Sequence, residues 1–266
     1  MFETYSGATR IVPLLGYPIA QAKSPFGMTK GFAARGADCI VVPVKIPPDG
    51  VGDYLKALDR VENLAGVLAT VPHKFALAAH ADRRSDRAAF YGSANIMRRD
   101  RAGFWLADML DGLGFIRAIR AAGGLLAGRR ALLAGAGGAG GAIAMELLTA
   151  GVERLAVHDT DPARRDDLIA RLDARFADKA AVGSASPRGF EVIVNATPLG
   201  MQRDDPLPFE TEHLTPEMFV GDVVSARHTT PLLAAAGARG CRTADGHDMF
   251  EATLDLMLDF FLGAAP

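Results

Sequence analysis

The stretch from Arg129 to Gly141, RRALLAGAGGAGG, constrains this chain more than any other. A short apolar run, Ala131 to Ala134, meets Gly135, Gly137 and Gly140 at G-x-G-x-x-G spacing, and Ile143, Leu147 and Leu148 follow at helical spacing. That reads as a strand, a tight glycine turn and a helix. In such a unit the first glycine permits the turn, the second lets backbone approach a pyrophosphate, and the third lets helix and strand pack closely. The helix N-terminus offers unbonded N–H groups and the positive end of a dipole to phosphate. Glycine-rich turns also serve plain packing, so spacing alone leaves both readings open. Context adds to the first: Leu155 to Val157 reads as a second strand and leads to Asp159, near the offset at which an acid meets an adenosine ribose.

With 266 residues, 49% of them hydrophobic, the chain has material for two compact units. Lys and Arg (29) nearly balance Asp and Glu (31), and no long basic run with interleaved aromatics occurs, so the expected partner is a small molecule, not nucleic acid. Cys39 and Cys241 stand far apart without metal or redox spacing, which reads as reduced structural thiols and a cytoplasmic setting. Residues Met1 to Arg10 lack an apolar leader core, and the uncharged run Ala131 to Met145 is too short to span a bilayer. No metal is expected, since no His, Cys or carboxylate cluster has ligand spacing.

Along the chain, strands are expected at Ile11 to Gly16, Ile40 to Val44 and Gly66 to Val71, with Pro43 demanding an edge position. Helices are expected from Ser24, with Ser24 as cap and Pro25 in the first turn, to Gly36, and over Tyr54 to Leu64. Pro72-His73-Lys74 places Lys74 at a strand-to-helix junction, the kind of position where ligands bind in α/β sheets, though a lysine there is also commonly just solvated. Ser93 to Arg98 and Phe104 to Leu106 read as strands joined by a turn at Asp100 to Gly103. A helix then opens at Asp111, which on sequence alone reads as its cap, and stops at Gly123-Gly124. Further on come a helix over Asp161 to Phe176, strands at Glu191 to Ala196 and Phe219 to Val224, a helix over Pro231 to Ala238 and an apolar helix over Met249 to Leu262.

Several separated stretches then fall into one pattern. Gly16-Tyr17-Pro18-Ile19-Ala20-Gln21-Ala22-Lys23-Ser24-Pro25 resembles the G-x-P-I-x-H-S-x-S-P loop of the shikimate dehydrogenase family. Thr70 to Lys74 resembles its T-x-P-[HF]-K segment, Gly92 to Asn95 its G-A-x-N segment, and Asp108 to Gly114 a worn G-x-N-T-D-x-x-G. The glycine turn, Asn195-Ala196-Thr197-Pro198-Leu199-Gly200-Met201, Thr230 to Leu233 and Asp245-Gly246 complete the set in the family's order, across nearly the whole chain.

The resemblance implies two α/β domains: a discontinuous substrate-binding domain over 1–110 plus 246–266, and a Rossmann-like dinucleotide-binding domain with a parallel sheet over 111–245. It makes Lys74 and Asp111 the catalytic pair, and Ser24, Thr70, Asn95 and Thr253 substrate contacts. Cofactor contacts fall to Gly135, Gly137, Gly138, Ala139, Gly140, Asp159, Asn195, Thr197, Val223 and Gly246. The activity implied is reversible NAD(P)-dependent hydride transfer at a secondary alcohol of a shikimate-related acid, by a monomer or homodimer with no membrane partner. A cofactor-binding sensor on the same fold is the alternative, and retention of both Lys74 and Asp111 argues against it.

The departures from the family pattern cluster on substrate recognition. Ala22 stands for the first serine of the loop, Leu68 for an asparagine, Ile96 for a threonine, Met109 and Leu110 for the Asn-Thr pair, Ser225 for a tyrosine and Thr253 for a glutamine. An unpaired buried polar group costs about 1 to 3 kcal/mol, so a site stripped of partners should bind a polyhydroxylated ring acid poorly and favour a less hydroxylated one. Gln21, His247 and Asp248 are candidates for replacement contacts. In Val157-His158-Asp159-Thr160, Asp159 takes the place of an arginine that holds the NADP 2′-phosphate in many members. A carboxylate accepts ribose hydroxyls and repels phosphate, so NAD is expected over NADP, with Arg164 and Arg165 read as solvated residues of the next helix.

Overall fold

The computed structural model describes residues 5–20, 22–226 and 228–263. The chain divides into two compact units: residues up to Leu110 together with those from Leu254 on, and Asp111–Thr253 between them. Domain boundaries inferred from the motifs differ at one point. The second falls inside the last helix, after Thr253, and not at that helix's start at Gly246.

The first unit holds β1 (Arg10–Gly16), α1 (Ser24–Ala34), β2 (Cys39–Lys45), α2 (Val51–Leu58), β3 (Val67–Ala69), α3 (Lys74–His80), β4 (Arg83–Arg84), α4 (Asp86–Tyr91), β5 (Ile96–Arg99) and β6 (Trp105–Asp108). Its sheet runs β2-β1-β3-β5-β6-β4. β1 pairs in parallel with β2 and β3, whereas β5 is antiparallel to β3 and β6. β2 is an edge strand, which accommodates Pro43 because its missing N–H is not needed by a second neighbour. The β5–β6 turn is fixed by Asp100, whose carboxylate accepts the N–H groups of Ala102 (2.9 Å) and Phe104 (3.0 Å).

Three local expectations need correction. α2 ends at Leu58 and not at Leu64, because the backbone beyond it joins the sheet: Asn63 O accepts from Ile11 N and Ala65 N donates to Ile11 O. Ser24 is the first helical residue of α1 and Lys23 the cap, with no side chain capping it. The strand expected from Ser93 begins only at Ile96. β4 and α4 were not anticipated; they lie in a polar segment without clear periodicity.

The second unit holds α5 (Asp111–Ala121), β7 (Arg130–Ala134), α6 (Gly138–Thr149), β8 (Arg154–His158), α7 (Pro162–Phe176), β9 (Ala180–Val182), β10 (Val192–Asn195), β11 (Phe219–Asp222), α8 (Pro231–Ala238) and β12 (Arg242–Ala244). All the pairings of its sheet are parallel, in the order β12-β11-β10-β7-β8-β9. Counted from β7 this is the doubly wound 3-2-1-4-5-6 arrangement, whose order reverses between β7 and β10. Asp161 caps α7 by accepting from Ala163 N and Arg164 N. α6 is buried along its length from Gly140 to Leu148, so apart from the buried Glu146 its sequence is apolar on every face and not amphipathic.

The last helix, α9 (Gly246–Leu262), begins in the second unit and ends in the first. Leu256, Met257, Leu258 and Phe260 are buried, and Phe261 stacks at a tilt on Phe32 of α1 with centroids 5.8 Å apart. Each such side chain contributes roughly 1.5–3 kcal/mol by leaving water, which explains an apolar C-terminal helix. The ion pairs of Arg35 with Asp255 (3.1 Å) and Asp259 (2.6 Å) lie at the surface and contribute little by comparison.

Candidate active site

At the carboxyl ends of β7 and β10, where the sheet order reverses, lies a cavity of about 500 Å³. Open α/β sheets bind ligands at such points, and this volume suits a small molecule or cofactor fragment. The glycine turn forms one wall. Gly135 has a φ of +99°, and its neighbour across the turn is the Ala196 carbonyl, 2.9 Å from where a Cβ would sit. A Cβ on Gly140 would overlap the Gly135 carbonyl, so only glycine lets α6 start this close to β7. Gly137 and Gly138 face open space. Turn, open surface and close packing thus fall on Gly135, Gly137 and Gly140 in that order.

Asp159, just beyond β8, lines the same cavity. Its Oδ2 accepts from Ala136 N at 2.7 Å and its Oδ1 from Asp161 N at 2.8 Å. Burial pushes the carboxyl up, but those two N–H groups, with Arg164 and His158, outweigh it and hold the group below the usual aspartate range. The carboxylate is therefore ionised and fixed in direction, with further lone pairs for ligand hydroxyls. Arg164, read from the sequence as solvated, also lines this cavity. A wall the sequence reading missed comes from Pro206, Leu207 and Pro208. That loop is shaped by Asp205, whose carboxylate accepts from Gly200 N and Gln202 N, both at 2.9 Å. Its Pro-x-Pro was visible in the sequence, but carries no ligand chemistry.

Asn195 is fully buried at the end of β10. Its amide donates to Leu199 O (3.0 Å) and Asp222 Oδ1 (2.9 Å), and its oxygen accepts from Thr197 N (3.0 Å) and Thr197 Oγ1 (2.6 Å). Asn195 thus shapes the Thr197 to Leu199 loop from inside, while Thr197 itself lines the cavity. Asp222 is fully buried and accepts from the Thr230 hydroxyl at 2.7 Å. Burial raises its pKa, partly offset by Thr230, Val224 N and Asn195, and Asp245 adds to the rise. Val223 N donates to Asn195 O at 3.0 Å. A Cβ at Gly246 would overlap the Val223 carbonyl, so this glycine seats the start of α9 on that loop.

In the first unit the parallel strands β1, β2 and β3 end beside one another, and the loops and helices that follow carry the other expected residues. Ser24 opens α1, Thr70 follows β3, and Lys74 opens α3. His73, buried beside it, has Nε2 2.8 Å from Ile46 O, and since a carbonyl can only accept, that nitrogen is the donor. Lys74 O accepts from Ala94 N at 2.9 Å. Asn95 Oδ1 accepts from Leu110 N at 3.0 Å, and Asp111 is the residue peptide-bonded to Leu110. The same segment is held from below by Asp108. Its carboxylate is gripped by Arg87 through Nε (3.1 Å) and Nη2 (2.7 Å), and also accepts from the Ser85 hydroxyl.

The residues that depart from the family pattern are mostly buried. Leu68 stands opposite Ile96 in the β3–β5 pair, and Met109 belongs to the core around Leu15 and Leu77. Thr253 packs against Gly114 and donates its hydroxyl to Met249 O of its own helix at 2.7 Å. Asp248 accepts from Asp245 N at 3.1 Å and helps form the start of α9, while His247 is exposed. Gln21 lies outside the described residues.

A parallel doubly wound sheet, a glycine turn with open second glycine, and a fixed acid at the next strand define a dinucleotide-binding fold of the kind that NAD(P)-dependent oxidoreductases use. Comparison with known proteins agrees. The shikimate dehydrogenase substrate binding domain family matches residues 14–97. The chain is 37% identical to the shikimate dehydrogenase (NADP(+)) of Rubrobacter xylanophilus, over 91% of this chain and 87% of that protein. Three solved structures superpose closely. The shikimate 5-dehydrogenase of Listeria monocytogenes, in complex with shikimate and NAD, gives a TM-score of 0.91 at 24% identity, covering 99% and 95% of the two chains. The 5-ketofructose reductase of Gluconobacter gives 0.89 at 26%, covering 97% and 94%. The quinate dehydrogenase of Corynebacterium glutamicum, in complex with NAD, gives 0.86 at 27%, covering 97% and 95%. The chain belongs to the shikimate dehydrogenase family.

Proposed function

We propose that this chain reversibly oxidises a secondary alcohol on a shikimate-related acid with fewer hydroxyl groups than shikimate, using NAD in preference to NADP. Lys74 takes the hydroxyl proton and returns it in the reverse reaction, Asp111 orients the lysine and accepts a substrate hydroxyl, and Ser24, Thr70 and Asn95 contact the substrate. The observation that carries this reading is the run of bonds from Lys74 O to Ala94 N and from Asn95 Oδ1 to Leu110 N. It ties Lys74, Asn95 and the residue before Asp111 into one hydrogen-bonded segment, which suits groups that must act on one substrate.

When bound, the nicotinamide supplies the hydride acceptor. The residues present fit such a cofactor: the open side of Gly137 and Gly138 at the start of α6 suits a pyrophosphate, and the ionised Asp159 suits a ribose diol. Leu68, Ile96 and Leu110, all buried and apolar, support a less hydroxylated ring, because they offer a substrate hydroxyl no side-chain partner. Relatives named for shikimate, quinate and 5-ketofructose support a fold whose substrate shell varies. We place the activity in the cytoplasm, on the two reduced cysteines.

The test is a screen of shikimate, quinate and simpler cyclic hydroxy acids with NAD and NADP, followed by the absorbance of reduced nicotinamide. Turnover of a less hydroxylated acid with NAD is expected. Oxidation of shikimate with an ordinary Michaelis constant would overturn the substrate assignment, and a clear NADP preference the cofactor assignment.

A further inference from the structure

The end of β8 carries two carboxylates and one guanidinium within two turns of chain. Asp159 is committed by both oxygens to the backbone of Ala136 and Asp161. Asp161 divides its own carboxylate: Oδ1 caps α7 through Ala163 N (3.0 Å) and Arg164 N (3.2 Å), and Oδ2 pairs with Arg164 Nη2 at 3.2 Å. Arg164 nonetheless lines the cavity beside Asp159. A basic group therefore stands at the mouth of the adenosine side, with an acid of its own helix holding it.

We propose that Asp161 sets cofactor selectivity by pairing with Arg164 Nη2 and offsetting the charge that the guanidinium would otherwise offer to the 2′-phosphate of NADP. The inference rests on the assignment of this cavity to the adenosine half of the cofactor. NAD needs only an acceptor for its 2′-hydroxyl, and Asp159 is already aimed by the backbone. A 2′-phosphate brings about −1.5 to −2 charges at pH 7 and meets two carboxylates beside an Arg164 guanidinium that is itself paired. Arg164, a planar fork suited to phosphate, would meet that charge with its Nη2 already paired to Asp161. Because that pair is half exposed it is weak, so one substitution is enough to release it.

Fragments separate this effect from catalysis. Calorimetry with adenosine 2′,5′-bisphosphate and with 5′-AMP, on the full chain, gives the ratio of their affinities. Asp161→Ser keeps a capping oxygen for α7 while removing the charge, and Asp161→Asn is a second variant should the serine protein fail to fold. The ratio should move about tenfold towards the bisphosphate, from the removed repulsion and the freed arginine together, and Arg164→Ala added to Asp161→Ser should reverse most of the gain. An unchanged ratio in both Asp161 variants, or a gain that survives Arg164→Ala in full, would overturn the proposal while leaving the cavity assignment intact. Failure of the wild-type protein to bind either fragment would remove the cavity assignment and the proposal with it.

Discussion

Leu68 of β3 sits directly opposite Ile96 of β5, and both side chains are buried. Each stands where the family pattern has a polar residue, so the two departures meet at one place in the fold. An asparagine at 68 facing an isoleucine would leave a buried amide beside a hydrocarbon wall, and a threonine facing a leucine would leave a buried hydroxyl. Together the two apolar residues satisfy each other.

The pair can be reverted. Leu68→Asn with Ile96→Thr should raise kcat/KM for shikimate by at least tenfold and lower stability, since each buried polar atom without a partner costs about 1 to 3 kcal/mol. Steady-state kinetics and a urea titration measure the two effects. Lost stability with no gain on shikimate would mean that these positions pack the sheet without touching substrate.

Lys74→Ala should lower kcat by about 10² to 10⁴, the usual contribution of a positioned acid or base, while cofactor affinity stays near the wild-type value. Fluorescence titration with reduced cofactor separates the two. Undiminished turnover would remove the lysine from the chemistry.

The glycines of the turn should fail in different ways. Gly140→Ala meets the Gly135 carbonyl, so α6 must shift, with a loss of about 1–3 kcal/mol of stability. Gly137→Val fills space that no protein atom uses, so the melting temperature should hold while cofactor affinity falls at least tenfold. Calorimetry and thermal melts of the two variants should give opposite patterns; matching patterns would contradict the separate roles.

Asp159 also predicts a pH dependence. Its folded-state pKa lies below the ordinary aspartate value, so its stabilising contribution is fully present above that value and is lost as pH falls through the lowered one. Wild type should therefore exceed Asp159→Asn in melting temperature at neutral pH, with the gap closing as pH falls below the ordinary carboxylate range. A gap that stays constant with pH would mean that the carboxylate charge is not what holds Ala136 and Asp161.

Much of this molecule was legible in the sequence because its signals are local. Three glycines at fixed spacing, an acid one strand later, and prolines at helix starts each act through the backbone within a few residues. The unit built on the glycine turn was readable for that reason. What escaped depends on distant partners. The end of α2 at Leu58 is decided by β1 pairing with Asn63 and Ala65, which periodicity does not reveal. Asn195 carries a motif that points to the cofactor, yet its four hydrogen bonds go to protein, a fact available only once β11 and the following loop are beside it. The opposition of Leu68 and Ile96 likewise needs the register of two strands far apart in the chain.

The buried Asp222 has an implication for how this chain can be re-engineered. Through Asn195 on one side and Thr230 on the other, one carboxylate fastens the loop after β10 to the residue that starts α8. These segments form a single hydrogen-bonded block. Loop grafting between relatives, the usual route to new specificity, would have to carry Asn195, Asp222 and Thr230 together with any loop it moves. A transplant that leaves one of the three behind strands a buried polar group without its partner.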